Sequence, residues 1–287
     1  MIKNLFMERI YTHMYSSNDT NVVQINDLHE TRTIKNLIEK YLLCGFAIFE
    51  FIDMKVNNET LEAFANSLNL GNAYIPQVYN NYKLLNSKMG FNLIGQKDND
   101  PSHKAFNTSS EQEIHSDGTL EKIGFIKTSL LYCRSQGLSG GENTIFNSTG
   151  AFYNLLTTNF DIAKLLLDAQ SLKRISSINH QEYIGPAFAI QENKIISRFS
   201  LDNTCDWRYG FNILPGLEEA YLSLTDLVYD GSPYYITFKL KPGQGLIMAN
   251  DKISHGRKEF LNTKEFKREM IRGLFIKNPE LTKGGYA

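Results

Sequence analysis

The sequence predicts an α+β fold, mainly β: a sandwich, jelly roll or barrel of short strands decorated by helices. Three observations predict it. From about residue 90 onward, short β-branched or aromatic runs recur, punctuated by Gly, Pro, Asn and Ser. Helical patterns interrupt these runs too irregularly for a doubly wound parallel sheet. No GxxxxGK[ST] loop and no strand-linked GxGxxG is present, which removes the usual nucleotide-binding α/β architectures.

The elements follow in order. "ETRTIKNLIEKYLLC" carries apolar residues at helical spacing and ends at Cys44. Gly45 is the natural stop, and "FAIFEF" after it reads as a strand. "NNETLEAFANSLNLG" reads as a second helix with an Asn or Thr cap, closed by Gly71. Strands are then expected in "MGFNLIGQ", "GFIKTSLLYCRS", "NTIFN", "AQSLKRISSI", "NKIISRFSL", "YYITFKL", "GLIMAND" and "EMIRGLFIK". Helices are expected in "STGAFYNLLTTNFDIAKLLLDA" and "PGLEEAYLSLTDLVYD". No internal repeat or low-complexity linker divides the chain.

Composition narrows the function. With 30 basic and 31 acidic residues the chain lacks the basic footprint of a nucleic-acid binder. No apolar window reaches the length of a membrane span, and the N-terminus lacks the apolar core of a signal peptide. Cys44, Cys133 and Cys205 are odd in number and far apart, as expected of free thiols in a reducing cytoplasm.

Two of the six histidines stand in a suggestive setting. In "SSEQEIHSDGTLEKIGF", His115 and Asp117 lie two apart, so in an extended segment both face one point. His255, in "LIMANDKISHGRKEF", follows an apolar strand. Two histidines and a carboxylate can occupy one face of an octahedral ferrous ion and leave three positions open. The same three groups can hold zinc, and an isolated HxD is usually a solvated loop. Arg268 and Arg272, four apart in "EFKREMIRGLFIK", share a strand face and suit an anionic carboxylate, which a guanidinium binds bidentately.

In order along the chain, "HSDG" (115–118), "SGGENTIFN" (139–147), "HGRKEF" (255–260) and "REMIR" (268–272) resemble the iron(II)/2-oxoglutarate-dependent dioxygenases of the taurine dioxygenase and clavaminate synthase-like superfamily. "GFAIFEF" is similar to that family's N-terminal region. The resemblance implies a double-stranded β-helix (cupin-like jelly roll). It would lie within a single domain over 1–287, helix-rich to about residue 85 and jelly roll with helical insertions from about 86. It implies that His115, Asp117 and His255 hold Fe(II), that Arg268 pairs with the distal carboxylate of 2-oxoglutarate, and that the Thr144 hydroxyl assists. Arg272 would touch cosubstrate or substrate. With O2 as oxidant, the implied products are succinate, CO2 and an oxidised substrate. Halogenating relatives have a small residue in place of the carboxylate, so Asp117 favours hydroxylation, with desaturation and epoxidation open.

For the substrate, "SRFSLDNTCDWRYGFN" (197–212) gathers Arg198, Asp202 and Asp206. In relatives that hydroxylate amino acids, acidic residues in a comparable region bind a basic side chain. The expectation is a small metabolite, with a tilt toward an amino acid, free or on a carrier protein, in natural-product tailoring. A taurine or alkyl-sulfonate oxygenase, a non-catalytic jelly-roll binding protein and a zinc hydrolase are the alternatives. The polar loop around His103 is a candidate lid.

Overall fold

The computed structural model describes residues 5–77, 90–95 and 108–281. The loop around His103 lies outside them. Two sheets carry the architecture. The larger contains β1 (Val23–Ile25), β2 (Phe46–Phe51), β3 (Asn92–Gly95), β5 (Thr128–Ser135), β14 (Gln244–Ala249) and β17 (Glu269–Phe275), in the order β1-β2-β14-β5-β17-β3. All its neighbours are antiparallel except β1 and β2. The smaller is antiparallel throughout: β13 (Tyr235–Phe238), β7 (Asn143–Phe146), β15 (Ser254–Arg257) and β4 (Gln112–His115). Together they form the expected jelly roll.

The apolar runs are long because the larger sheet is buried on both faces. Phe46 and Ile48 of β2, with Leu246 and Met248 of β14, join the core between the sheets. The alternate residues Ala47, Phe49, Phe51, Ile247 and Ala249 join a second cluster on the outer face. Helix α1 (Thr31–Cys44) supplies Ile34, Leu37, Ile38 and Tyr41 to that cluster, and α2 (Asn58–Ser67) supplies Leu61, Phe64 and Ala65. Gly45 ends α1 at φ +78°, as expected. Helix α2 is capped by the Asn57 side chain on Thr60 N–H, but it stops before Gly71, its last turn broken by Asn69 at φ +57°.

The helical insertion after β7 forms α3 (Ser148–Thr158), a short α4 (Phe160–Ala163) and a 3-10 turn. The polar-aromatic "CDWRYGFN" stretch contains α5 (Trp207–Phe211), and α6 (Leu217–Thr225) follows. A three-stranded sheet of β8 (Leu172–Ile175), β9 (Glu182–Gly185) and β12 (Cys205–Asp206) joins this insertion to the HxD loop. Two small ribbons complete the described strands: β10 (Phe188–Gln191) with β11 (Lys194–Ser197), and β6 (Ser139–Gly140) with β16 (Phe260–Leu261). Among the described residues no helix is long and apolar enough to cross a membrane.

Candidate active site

Register in the smaller sheet brings the two histidines together. His255 on β15 pairs across the antiparallel ladder with His115 on β4, and their ring centroids are 4.6 Å apart. Directly opposed residues share a face, so 140 residues of separation collapse to one contact. Asp117 follows β4 by two residues, with its Oδ2 3.6 Å from His255 Nε2. One ligand atom from each of the three residues lies within 4.8 Å of the others.

The protonation states suit a cation. His115 Nδ1 is 2.9 Å from the Glu113 carbonyl, which fixes that nitrogen as the N–H donor and leaves Nε2 as a lone-pair donor. Burial, then the neighbouring His115, lowers the His255 pKa to about 4, so its ring is neutral near pH 7. Burial alone would raise the Asp117 carboxyl. Together the Arg272 guanidinium, both histidines and the Ser129 hydroxyl outweigh that and hold Asp117 well below the usual carboxylate range. Arg272 Nη1 donates to Oδ1 at 2.6 Å and Ser129 Oγ to Oδ2 at 2.6 Å.

The loop bearing Asp117 is clamped from two sides. Asn250, just after β14, accepts the Asp117 N–H at 2.8 Å and donates to the carbonyls of Asp117 and Ile126. On the other side lies Arg174 of β8, only 1% exposed. Its guanidinium donates to Ser200 Oγ (3.0 Å) and Thr204 Oγ1 (2.8 Å), with longer contacts to the Ser116 carbonyl and Thr119 Oγ1. Nothing in "SLKRISS" distinguishes Arg174 from a surface charge; its role exists only in three dimensions.

Beside the histidines opens a pocket lined by Arg257, Arg268 and Arg272. No carboxylate is among its described lining residues. Arg268, Met270 and Arg272 alternate onto one face, as the four-residue spacing predicts. Burial, then the like charge of Arg257, lowers the Arg268 pKa to about 10. Its Nε is buried without a hydrogen-bond partner and its guanidinium stacks over Phe260. Gly140 and Gly141 take left-handed backbone at φ +70° and +78°, and a Cβ on Gly141 would come within 3.1 Å of that Nε.

Thr144 does not line this pocket; Asn143 does. Strand alternation decides it. Asn143 and Ile145 pair with Arg257 and His255, whereas Thr144 pairs with Gly256 and lies on the opposite face. The buried Asn143 Nδ2 has no hydrogen-bond partner. The parity of the strand therefore turns Asn143, and not the Thr144 that the resemblance implied, toward the arginine pocket.

The expected substrate residues are occupied elsewhere. Asp202 accepts from Thr204 Oγ1 at 2.7 Å and lies 3.8 Å from Arg174. Asp206 caps α5 through Tyr209 N–H and pairs with Lys173 at 2.9 Å. Neither lines the arginine pocket. Arg198 is buried, donates to the Thr119 carbonyl at 2.9 Å and stacks on Tyr183. Arg257, within "HGRKEF", donates to the carbonyls of Thr108, Ser109 and Ser110 and thereby fixes the lead-in to β4.

Iron(II) and 2-oxoglutarate both fit these residues. The donors are two imidazoles and one ionised carboxylate, and the adjoining pocket has unpartnered N–H groups at Arg268 and Asn143 and, among its described lining residues, only positive charge. A jelly roll with such a mouth has what a non-haem iron oxygenase using a 2-oxoacid cosubstrate needs.

Comparison with known proteins makes the assignment specific. Residues 12–274 match the family model described as "Taurine catabolism dioxygenase TauD, TfdA family", and the chain belongs to this family of iron(II)- and 2-oxoglutarate-dependent dioxygenases. It is 32% identical over 238 residues to a uridine-5'-phosphate dioxygenase of an Amycolatopsis species, covering 82% of this chain and 86% of that protein. A uridine-5'-phosphate dioxygenase of a Streptomyces species is 27% identical, with 89% and 93% covered. Among solved structures, asparagine oxygenase bound to Fe(II), 3-hydroxyasparagine and succinate superposes with a TM-score of 0.62 at 14% identity, over 86% of this chain and 79% of that one. The non-haem iron oxygenase OrfP with iron and α-ketoglutaric acid gives 0.62 at 11% identity, over 89% and 93%. At these identities the structures establish the fold.

Proposed function

We propose that His115, Asp117 and His255 hold the ferrous ion, and that Arg268 with Asn143 holds the distal carboxylate of 2-oxoglutarate. We further propose that the substrate is a free nucleoside 5'-phosphate. The observation that carries the site assignment is the convergence of three ligand atoms within 4.8 Å beside a pocket with three arginines and no described carboxylate. A dianionic 2-oxoacid complements that charge.

When bound, the iron supplies the oxidation, coupling decarboxylation of 2-oxoglutarate by O2 to hydroxylation of a carbon on the substrate. The protein's part is orientation. Ser129 and Arg272 fix the Asp117 carboxylate, the Glu113 carbonyl fixes the His115 tautomer, and Arg174 and Asn250 hold the loop between them. The Arg268 guanidinium, stacked on Phe260, anchors the cosubstrate's tail through Nε and limits its rotation.

The substrate class rests on the two relatives that carry uridine 5'-phosphate in their names and match nearly their whole length. The engagement of Asp202 by Thr204 and of Asp206 by Lys173 weighs against an amino-acid ammonium group there. The chain acts as one catalytic unit over 1–287, a reading supported by β1 and β2, which extend the larger sheet from the N-terminal third. A reducing cytoplasm suits its three unpaired cysteines.

The test is succinate release by the iron-loaded enzyme with a panel of nucleotides, amino acids and alkyl sulfonates. Turnover with uridine 5'-phosphate and none with uridine is expected. Coupled turnover of an amino acid alone would overturn the substrate assignment. Full activity of His115→Ala would overturn the site.

A further inference from the structure

Away from the active site, a second cluster joins three different metal-ligating side chains from separate elements. His13 follows a 3-10 turn, Asp19 lies in the next one, and Cys44 is the last residue of α1. His13 Nε2 lies 3.1 Å from Asp19 Oδ1 and Cys44 Sγ lies 3.2 Å from the same oxygen. All three ligand atoms are within 4.8 Å of one another. Zinc bonds of about 2.0–2.3 Å to N, O and S place tetrahedral ligands roughly 3.3–3.7 Å apart, so the observed edges need to open by only a few tenths of an ångström.

The surroundings favour a ligand set. Ser16 N–H donates to Asp19 Oδ2 at 2.7 Å, which orients the carboxylate and leaves Oδ1 facing the thiol and imidazole. The Tyr15 hydroxyl donates to the Cys44 carbonyl and its ring meets His13 edge-on, fixing both ends of the cluster. His13 is 15% exposed at its side chain, against 9% for Asp19, so a fourth position can open toward solvent.

We propose that His13, Asp19 and Cys44 form a structural site for a divalent cation of zinc type, which staples the N-terminal segment to the end of α1. This site is independent of the catalytic assignment. Binding transfers the Cys44 thiol proton to solvent as the sulfur–metal bond forms, so affinity rises with pH. The benefit is conformational: the segment before β1 contains only 3-10 turns among its described elements. A ligand set spanning residues 13 to 44 closes a long loop.

The experiment uses the full chain, stripped with chelator and titrated anaerobically with Co(II). A thiolate–cobalt charge-transfer band in the near ultraviolet can arise here but not at His115, Asp117 and His255, which contain no sulfur. The expected result is two equivalents of cobalt and that band in the wild type. His115→Ala/Asp117→Ala should keep the band and bind one equivalent. Cys44→Ser should lose the band and one equivalent while keeping succinate release with 2-oxoglutarate. If Cys44→Ser does not fold, Asp19→Asn takes its place, because the amide keeps an acceptor for the thiol and removes the charge. A single equivalent without the band in the wild type would show that the three residues share only hydrogen bonds, and would overturn the proposal.

Discussion

Replacing Gly256 by alanine tests whether the proposed iron ligands depend on the β4–β15 register. Gly256 sits between His255 and Arg257, and an added Cβ would lie 2.6 Å from the Gln112 carbonyl oxygen and 2.8 Å from Thr144 Oγ1. Ordinary contact begins at 3.4 Å, so the overlaps are 0.8 and 0.6 Å. The first is with the backbone of β4, the strand that ends in His115. A rotamer change cannot relieve it; the strands must separate, and His115 moves relative to His255. Overpacking of this kind costs about 1–3 kcal/mol. If that cost falls on the metal-bound state, the iron Kd rises roughly 5- to 150-fold. Iron affinity is read by anaerobic titration with Fe(II) and 2-oxoglutarate, following the weak visible charge-transfer band of the chelate, and apoprotein stability by thermal melting. Gly243→Ala is the control. Its φ is +91° with nothing within 4 Å, so it carries only left-handed strain of about 1–2 kcal/mol and should leave the iron Kd unchanged. Wild-type iron affinity in Gly256→Ala would refute the claim that this register sets the ligand geometry.

Three further outcomes follow. Asn143→Leu should raise the KM for 2-oxoglutarate about 10- to 150-fold, the loss of a charge-assisted hydrogen bond worth roughly 1.5–3 kcal/mol; Thr144→Val should leave it nearly unchanged, and the reverse pattern would restore Thr144 as the contact. Arg174→Met should weaken iron binding and lower kcat with little change in cosubstrate KM. Arg174→Lys should not rescue it, because one ammonium cannot reach the acceptors at Ser200, Thr204 and Ser116 together. For the apoprotein, the His255 pKa is depressed to about 4, so the folded state binds fewer protons than the unfolded one. The resulting stability is fully present above the unfolded value of about 6.5 and is lost as pH falls toward 4, about 3 kcal/mol in all. The lowered Asp117 pKa acts with the same sign at lower pH. Urea midpoints of the apoprotein at pH 7.5, 5.5 and 4.5 should fall in that order, and His255→Gln should flatten the first step.

The amino-acid sequence by itself determined the class of fold and the residue types that the fold brings to the mouth. Near-continuous β-branched and aromatic runs bounded by turn residues are local signals, and they located "FAIFEF", "GLIMAND" and "EMIRGLFIK" because strands buried on both faces carry apolar residues throughout. The His115/Asp117 pair was legible for the same reason, since two residues apart on a strand is a geometric statement. Arg268 and Arg272 were legible by the same parity. What only the tertiary structure decided is everything that depends on which strands meet. The opposition of His255 and His115 comes from ladder register, and the placing of Asn143 rather than Thr144 against the pocket comes from which face of β7 turns inward. Arg174 became a loop clamp only when β8 was laid against residues 116–119 and 200–204. Asp202 and Asp206 looked available as charges in a polar stretch, yet β8 brings Arg174 to Asp202, which Thr204 already holds locally, and Lys173 to Asp206. A side chain's type is written in the chain, but its partner is fixed by packing, because the neighbours that satisfy a buried charge come from distant segments.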